Sequence, residues 1–516
     1  MNFYGPMGKT GPDVLLVTGE HHDDHPLSPS GMISRVLMSE GFSVSILEKP
    51  HIDRDYTRLG PPALFFAVTS GSIDSMLSNY TPMKRPRFTP GDPLWMPDRA
   101  VIRFCNDIRR LFKGVRIVIG GIESSLRRFA HYDYWDNDLR RSILMDAKAD
   151  LLVYGNGEKQ VMEAARRLRD GKGIEGIEGT CIRSSERPQG FTELPSFDEV
   201  KADKHVFCKM QNAFTNEADL CQLNGKSYVC QYKYPEYTPD DLDRYYSLPF
   251  TRKISPHSAL QLARFSVVTH RGCFGRCSFC SIALHQGARV ISRSEDSIIE
   301  EIVRMTRHPE FKGYVDDLGG PSANMYGMDR VSSCEGCGPK RSHDRLIALM
   351  RRARKVPGVK KVFVRSGIRY DIALMSEDYI RELSQHHVSG TLKIAPEHFD
   401  PEVLQLMNKP GTRFNDFADL FTRLNEGKGQ SLRYYLMIGH PGDDGAKVKR
   451  LSERAAMLGN IEQFQLFTPT PMSMSSCMYW TGMDPRTMRP VKVVRDYRTK
   501  KALKGYMLRS IRQSHR

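Results

Sequence analysis

The sequence lacks any apolar run long enough to cross a membrane. A transmembrane helix needs about 20 predominantly apolar residues, and apolar stretches such as residues 13–18 and 63–69 are far shorter. Residues 1–5 carry neither the basic segment nor the apolar core of a secretory signal peptide. We therefore expect a globular protein located in the cytoplasm.

Cysteine is also scarce, with 11 residues among 516. Disulfide frameworks belong to short, cysteine-dense secreted chains, so such a framework is excluded. Structural zinc usually takes four ligands from paired Cys or His spacings, and no second pair lies at zinc-finger distance from the main cysteine group. We interpret the widely spaced cysteines of the middle segment as structural thiols: Cys181, Cys208, Cys221 and Cys230.

Acidic residues are nearly absent from the last 31 positions. Residues 486–516 contain 11 Lys and Arg against the single acid Asp496, which accounts for +10 of the formal charge of +16. The apolar positions between residues 491 and 512 have helical spacing and predict a basic amphipathic helix. Such a helix can bind the phosphates of a nucleic acid, or it can be a solvated or docking segment.

The most informative group in the chain is a CxxxCxxC motif formed by Cys273, Cys277 and Cys280. Three thiolates this close together can hold an iron–sulfur cluster and leave its fourth iron open for chemistry. Gly272 and Gly275 allow the backbone to wrap closely around such a cluster. The motif follows a short β-branched run at 266–270 and precedes a helical pattern over 295–308.

The N-terminal third alternates predicted strands and helices. This spacing predicts a doubly wound parallel sheet, with ligands beyond the carboxyl ends of its strands at Gly-rich turns. We assign a Rossmann-like α/β domain to residues 1–200 and a connecting segment to 201–258. The predicted strands are 13–18, 42–47, 63–69, 115–119 and 150–154.

A histidine-rich loop follows the first predicted strand, with His21, His22 and His25. The layout of this domain is similar to that of cobalamin-binding domains, which ligate cobalt through DxHxxG, but Ser28 stands here in place of the glycine. Cobalamin, a nucleotide or the substrate are candidate ligands, which we expect close to His25 and Glu123. These histidines can form a metal or proton-transfer site, or they can belong to a solvated polar loop.

From residue 259 onward, six further β/α units carry polar clusters at the ends of their predicted strands. Repeated units of this kind predict a barrel with its site at the carboxyl mouth. Six units fit a partial barrel, which we assign to residues 259–485, followed by a basic tail over 486–516. The predicted strands are 266–270, 313–320, 361–365, 390–398, 431–438 and 463–467.

The chain resembles the YgiQ-type radical S-adenosylmethionine (SAM) proteins. The resemblance is carried by HRGCFGRCSFCSI at 270–282, DLGGPSANMY at 317–326 and LKIAPEH at 392–398, and upstream by GGIESSLRRFAHYDYW at 120–135. It implies a 4Fe-4S cluster and SAM, with reductive cleavage of SAM to a 5′-deoxyadenosyl radical by an electron donor such as flavodoxin or ferredoxin. It implies no particular substrate.

The resemblance also suggests which residues hold SAM. Gly319 and Gly320 would let the backbone approach its methionine group, with Asn324 nearby, and Phe279 would pack against adenine or simply belong to the core. Arg369, Lys393 and Glu397 are candidate ligands of its carboxylate and ribose by their expected position at strand ends, or else form ion pairs at the barrel mouth.

Two features leave further alternatives. After the Asn-Met-Tyr segment, where related proteins carry additional cysteines, only Cys334 and Cys337 remain with His343 nearby, which indicates half a zinc site or a plain turn. A non-catalytic iron–sulfur or zinc protein that binds RNA through its tail is the competing class, although aromatic-rich basic surfaces are not evident. A methylthiotransferase would need a second cysteine triad, which we do not find.

Overall fold

The computed structural model describes residues 2–4, 11–329, 342–409, 411 and 413–514. Within these ranges, no helix is both long enough and apolar enough to cross a membrane. The described chain forms two units that share a hydrophobic cluster.

The N-terminal unit is built on a sheet that is buried on both faces. In its first long strand, Leu15 and Val17 pack into one hydrophobic cluster, and Val14 and Leu16 pack into another on the opposite face. Helices cover both faces, as expected for near-continuous apolar strands. The strands are β1 (Asn2–Tyr4), β2 (Val14–Thr18), β3 (Val44–Glu48), β4 (Phe65–Thr69), β5 (Ile117–Ile119), β6 (His131–Asp133), β7 (Asp138–Arg140), β8 (Leu151–Val153), β9 (Thr180–Ser184), β10 (Thr192–Leu194), β11 (Leu220–Asn224) and β12 (Ser227–Gln231).

The helices of this unit alternate with the strands. Several begin at side-chain caps, such as Ser28 before α1 and Asp74 before α3, whose oxygens accept backbone N–H groups of the first turn. The helices are α1 (Pro29–Ser39), α2 (Asp53–Thr57), α3 (Ser75–Asn79), α4 (Ala100–Leu111), α5 (Gly121–Ser125), α6 (Ile143–Asp146), α7 (Glu158–Arg169), α8 (Phe197–Ala202), α9 (Lys204–Ala213) and α10 (Pro239–Tyr246).

The sheet has ten strands in the order β1-β3-β2-β4-β5-β8-β9-β12-β11-β10. Its centre, β3-β2-β4-β5-β8, is parallel, so the predicted doubly wound sheet is confirmed. Strands β9, β12 and β11 extend it by antiparallel pairing. Since β11 and β12 come from the segment 201–258 that we expected to be a connector, the unit continues beyond residue 200.

The second unit contains the six predicted barrel strands, all joined in parallel. The ladders β13–β17, β16–β18 and β19–β20–β21 follow each other in sequence order, and a bridge between Ile368 and Ile394 links the last two. The partial barrel is therefore confirmed. The unit also has a separate antiparallel pair, β14 (His270–Arg271) with β15 (Ile291–Ser292). The barrel strands are β13 (Ser266–Val268), β16 (Tyr314–Val315), β17 (Asp317–Gly319), β18 (Lys361–Val362), β19 (Thr391–Glu397), β20 (Ser431–Ile438) and β21 (Ile461–Leu466).

Helices cover the outside of this barrel. Along β19, Leu392 and Ile394 pack outward into the hydrophobic cluster formed with these helices, and the alternate residues Lys393 and Glu397 stay partly accessible. The helices are α11 (Ile282–His285), α12 (Glu295–Thr306), α13 (Asp344–Arg354), α14 (Tyr370–Ala373), α15 (Glu377–Glu382), α16 (Pro401–Leu406), α17 (Phe414–Leu424), α18 (Gly445–Leu458), α19 (Met474–Thr481) and α20 (Tyr497–Ser514).

The basic tail forms the predicted amphipathic helix, α20, and this helix docks on both units. Leu503 and Met507 are buried in a cluster shared with α18. Lys500 is 4% exposed, and its Nζ lies 2.9 Å from the Tyr134 hydroxyl of the N-terminal unit and 2.8 Å from that of Tyr479 in α19. The tail is thus a packed element that ties the two units together.

Candidate functional site

The cluster loop begins at a buried ion pair between the two units. Arg271, directly before the loop, places its Nη1 2.7 Å from Glu158 at the start of α7, and its Nε donates to the Tyr246 hydroxyl at 3.1 Å. Gly272 follows with φ +79°, and a Cβ there would lie 1.8 Å from the carbonyl oxygen of Arg289. Only glycine fits this turn, which directs the chain into the three cysteines.

The three thiols of the loop differ from the other described cysteines in their exposure. Cys273, Cys277 and Cys280 are partly accessible, whereas the remaining described cysteines are buried. Burial raises the pKa of the Cys280 thiol to about 11 and raises that of Cys277, and the neighbouring thiols act in the same direction. A metal that takes thiolate ligands must therefore displace their protons.

The three thiols belong to one short loop and can each bind a different iron of one cluster. Among the described residues, no group of three or more His, Cys, Asp or Glu side chains is placed to hold one metal ion. In a 4Fe-4S cluster each cysteine binds a different iron, so the thiols need not converge on one point. Cys273 also packs against the apolar side chains Val290, Met325 and Ile372, which limits water on that side.

Arg369 lies beside the loop with one unused donor. Its Nε and Nη2 donate to the Asp371 carboxylate at 2.8 and 2.7 Å, whereas its Nη1 is buried without a hydrogen-bond partner. A Cβ at Gly275 would lie 2.6 Å from this Nη1 and 3.3 Å from the Cys273 sulfur. The guanidinium is thus directed at the cluster position, where an anionic ligand would satisfy it.

Asn324 holds Arg369 in this position. Its Nδ2 donates to the Arg369 carbonyl and its Oδ1 accepts from the Arg369 amide, both at 2.8 Å, and the side chain is completely buried. The amide is therefore committed to the backbone. Asn324 lies near the predicted SAM position, but its bonds make it a support for Arg369.

Gly319 and Gly320 end β17 where side chains from neighbouring segments crowd the backbone. A Cβ at Gly319 would lie 2.4 Å from the Ser366 hydroxyl, and one at Gly320 would lie 2.5 Å from the His270 ring. Ser366 in turn donates to the Asp317 carboxylate. These side chains leave no room for a Cβ at either glycine, and contact of this strand end with SAM stays a prediction.

Glu397 and Lys393 occupy different depths of the barrel. Glu397 ends β19 with φ +65°, and its Oε1 lies 3.5 Å from the Nζ of Lys409. The strand continues four residues past Lys393, so Lys393 does not lie at the strand end as we expected. Its Nζ lies 2.8 Å from Glu462 at the beginning of β21, and the side chain is 42% exposed.

Phe279 links the loop to the last barrel strands. Its ring meets the buried His440 ring edge-to-face at 6.3 Å, and it packs against the cluster that the two units share. The His440 Nε2 lies 2.7 Å from the Ser475 hydroxyl, and the Ser475 amide donates to the Ser278 carbonyl at 2.9 Å. Phe279 is thus a packing residue of the loop, and its contact with adenine stays a prediction.

A cavity of about 620 Å³ lies between the strand ends of the two units. Gly71, Gly120 and Gly155 line it on the N-terminal side, and Gly319 and Ser366 line it on the barrel side. Its size is that of a small-molecule or cofactor site. The glycine turns and the barrel mouth therefore face one common space.

His25 and Glu123 are not among the residues that line this cavity. The His25 Nδ1 accepts from the Leu27 amide at 3.1 Å, and its Nε2 lies 2.8 Å from the Arg264 carbonyl and 2.9 Å from the Arg252 Nη1. Burial, and then the charge of Arg252, lower its pKa to about 3. Glu123 accepts from the amides of Ser75 and Val101 in the core, so both side chains support the fold.

The other predicted candidates are the remaining histidines of the N-terminal loop and the Cys334 region. His21 lies 3.5 Å from Glu48, and His22 lies 2.9 Å from the Ser30 hydroxyl. Cys334 and Cys337 lie outside the described residues. His343 is buried and stacks on the Tyr379 ring with centroids 4.3 Å apart.

Sequence reasoning missed the side chains that fix the loop from a distance. Arg271 and Glu158 are far apart in the sequence, and neither stands out by spacing. The same holds for Asn408, whose Nδ2 donates to the Arg276 carbonyl at 2.9 Å, and for Lys409. The one available signal was the turn-forming composition of Asn-Lys-Pro at 408–410.

Comparisons with known families agree with this geometry. The family model "Radical SAM N-terminal" matches residues 5–268, the model "Radical SAM superfamily" matches 267–455, and a domain of unknown function matches 462–511. The chain is therefore a radical SAM protein, which implies a 4Fe-4S cluster and SAM. It belongs to the UPF0313 family: a member from Fusobacterium nucleatum is 41% identical over 94% of this chain and 93% of its own length.

Other relatives and solved structures extend this result. A UPF0313 protein from Methanocella arvoryzae is 42% identical over 96% of this chain and 90% of its own length. The radical SAM methyltransferase TsrM from Kitasatospora setae, solved with cobalamin and a 4Fe-4S cluster, shares the fold at a TM-score of 0.54, with 18% identity over 90% of this chain and 78% of TsrM. The cobalamin-dependent enzyme OxsB aligns at a TM-score of 0.50, with 12% identity over 90% of this chain and 55% of OxsB.

Proposed function

We propose that this protein is a cytoplasmic enzyme that cleaves SAM reductively at a 4Fe-4S cluster held by Cys273, Cys277 and Cys280, and turns the resulting 5′-deoxyadenosyl radical on a substrate. The observation that carries the proposal is the loop itself, which combines three partly accessible thiols with a buried, unpartnered Arg369 Nη1 beside Gly275 and Cys273. The bound cluster and SAM supply the electron transfer and the radical. Flavodoxin or ferredoxin is the class of electron donor that we propose.

The chain's own residues would bind and orient SAM. The Arg369 Nη1 is a donor for its carboxylate, and Asn324 keeps that guanidinium in place through the backbone. Gly319 and Gly320, which line the cavity, are candidates for backbone contact with the methionine group of SAM. Glu397 at the end of β19 is the remaining candidate, and it can accept from the ribose hydroxyls or the amino group.

Anaerobic reconstitution tests this proposal directly. The protein is loaded with iron and sulfide, reduced with dithionite and incubated with SAM. We expect about four irons per chain and formation of 5′-deoxyadenosine and methionine. A protein that takes up a full cluster but forms no 5′-deoxyadenosine would contradict the catalytic proposal and leave an iron–sulfur binding protein.

We further propose that the cavity between the units binds a second ligand, with cobalamin as the first candidate. Support comes from the glycine turns that line it and from the fold shared with cobalamin-bound TsrM. His25 cannot serve as a cobalt ligand in this structure because both of its ring nitrogens are already bonded. A cobalamin bound here would therefore lack this histidine as its axial ligand.

Titration of the full chain with hydroxocobalamin tests the second proposal. We expect a change in the cobalamin spectrum that is lost in Gly120→Phe, because a Cβ at Gly120 meets only ordinary contacts to Val153 and a large side chain would occupy the cavity. Gly445→Phe is the matched control, since its Cβ meets nothing within 4 Å. No spectral change in the unmodified protein would leave a substrate-binding or structural role for the cavity.

A further inference from the structure

The turn that follows α16 is bonded to the cluster loop at two points. The Ser278 amide donates to the Met407 carbonyl at 2.8 Å, and the Asn408 Nδ2 donates to the Arg276 carbonyl at 2.9 Å. These two loop residues flank Cys277 on either side. The position of residues 407–409 is thus fixed relative to the middle cysteine of the motif.

This turn places Lys409 next to the part of the loop that carries Cys277. Asn408 has φ +51° and ends the helix, and the Lys409 amide then donates back to the Leu404 carbonyl at 3.0 Å. The Lys409 side chain is only 9% exposed, and its ammonium lies 3.5 Å from the Glu397 carboxylate.

Glu397 is held in place at a local cost. A non-glycine residue with φ +65° has a strained backbone. The pairing of β19 with β20 also shifts register between Ile394 and Glu397, which turns the end of the strand. Backbone strain of this kind is kept where the surroundings fix it, and here it aims a carboxylate at Lys409.

We propose that Lys409 is a positioning residue that raises the reduction potential of the cluster, and that Glu397 holds its ammonium next to the thiols. A cluster with thiolate ligands is negatively charged and gains a further electron on reduction. A cation close to it in a poorly solvated site stabilises the reduced form more than the oxidised one. The inference rests on the proposed function because it needs the cluster, but it does not need SAM cleavage.

The test is a redox titration of the reconstituted protein without SAM, followed by electron paramagnetic resonance. For Lys409→Met we expect the equilibrium between reduced and oxidised cluster to shift about tenfold toward the oxidised form, which is about 59 mV for one electron. Lys409→Arg should restore most of the potential, because it restores the charge.

The matched control is Lys447 of α18, another lysine that pairs with a carboxylate. The Lys447 Nζ lies 2.6 Å from Glu402 of α16, and Lys447→Met should leave the potential unchanged. An unchanged potential in Lys409→Met with full iron content would overturn the inference. If Lys409→Met fails to assemble a cluster, Lys409→Gln decides, because it removes the charge and keeps a polar side chain in the same space, and an unchanged potential in that variant overturns the inference.

Two other results separate this inference from its alternatives. If Lys409 binds the SAM carboxylate instead, Lys409→Met would change only the spectrum and affinity measured with SAM, and the potential without SAM would stay the same. If the unmodified protein binds no cluster, the proposed function itself fails. The failure of the inference and the failure of the function are thus distinguishable.

Discussion

At the residue scale, the cysteines divide by what surrounds them. Cys273, Cys277 and Cys280 lie in a loop that opens toward the barrel mouth, and the other described cysteines are enclosed by apolar side chains. Accessible, clustered thiols serve as metal ligands, whereas enclosed thiols behave as small apolar residues. The roles of the two groups should therefore separate on mutation.

We expect Cys273→Ala, Cys277→Ala or Cys280→Ala each to remove the visible absorption of the cluster and all SAM cleavage, because a cluster with two protein ligands is labile. Iron and sulfide analysis after anaerobic reconstitution provides the measurement. Cys221→Ala, at a buried position of the sheet, is the control and should keep the cluster. A single loop variant with full iron and full activity would refute the assignment.

A second expectation concerns Asn324, whose amide bonds the Arg369 backbone twice. Asn324→Ala leaves a buried N–H and a buried C=O unpaired, each costing about 1–3 kcal/mol. We expect a lower melting temperature and weaker SAM binding with normal iron content. Calorimetric titration of SAM onto the loaded protein measures the second effect, and unchanged affinity would show that Arg369 does not contact SAM.

At the element scale, α20 shows how a strongly basic segment is accommodated. Lys500 of this helix is buried between two tyrosine hydroxyls. Just before the helix, Arg495 donates to the Tyr479 carbonyl at 2.7 Å. Other cations of the helix, such as Lys501 and Lys504, are exposed. Part of the charge thus serves internal docking, and the exposed part remains for a partner.

Lys500 should make stability depend on pH. Burial, with a smaller effect of Lys84, lowers its pKa to about 8 from an ordinary 10.5, while Asp496 acts in the opposite direction. Below pH 8 the full cost of burying the charge is present, and it is relieved as the pH rises toward 10.5, because the folded protein loses this proton first. Each pH unit in this window changes the free energy of unfolding by about 1.4 kcal/mol.

The measurement is thermal unfolding at pH 7.5 and 9.5 for the unmodified protein and Lys500→Met. We expect the unmodified protein to gain stability relative to Lys500→Met at the higher pH, by roughly 2 kcal/mol. Lys501→Met controls for general charge effects because Lys501 is exposed. An equal stability difference at both pH values would mean that Lys500 keeps its ordinary pKa.

Nucleic-acid binding through the tail stays a prediction, and charge reversal on the exposed face of α20 tests it without removing the docked face. Reversal of the exposed charges in Lys501→Glu with Lys504→Glu leaves Lys500 and the docked face intact. If the helix binds phosphates, RNA or DNA binding should weaken in this variant. Its salt dependence should also flatten, because fewer phosphate contacts form on binding and fewer counterions are released. Unchanged affinity at several salt concentrations would leave α20 as a docking helix alone.

At the scale of the whole molecule, the sequence predicted the elements better than their partners. Alternating apolar strands and helices define the sheet and the barrel, and the cysteine spacing defines the loop. The antiparallel strands β11 and β12 were not predicted, because their pairing depends on contacts made elsewhere in the sheet. Contacts such as Arg271 to Glu158 or Asn324 to Arg369 join distant segments, so no local sequence pattern predicts them.

The docking of α20 has a consequence for the making of the protein. The helix begins more than two hundred residues after Cys280, and it is bonded to Tyr134 of the first unit and packed on α18 of the second. At about 5–20 residues per second, a ribosome needs on the order of ten seconds or more to reach it. During that interval the nascent chain lacks the helix that ties its halves together, which gives assembly factors a period in which to deliver iron, sulfide and any second ligand.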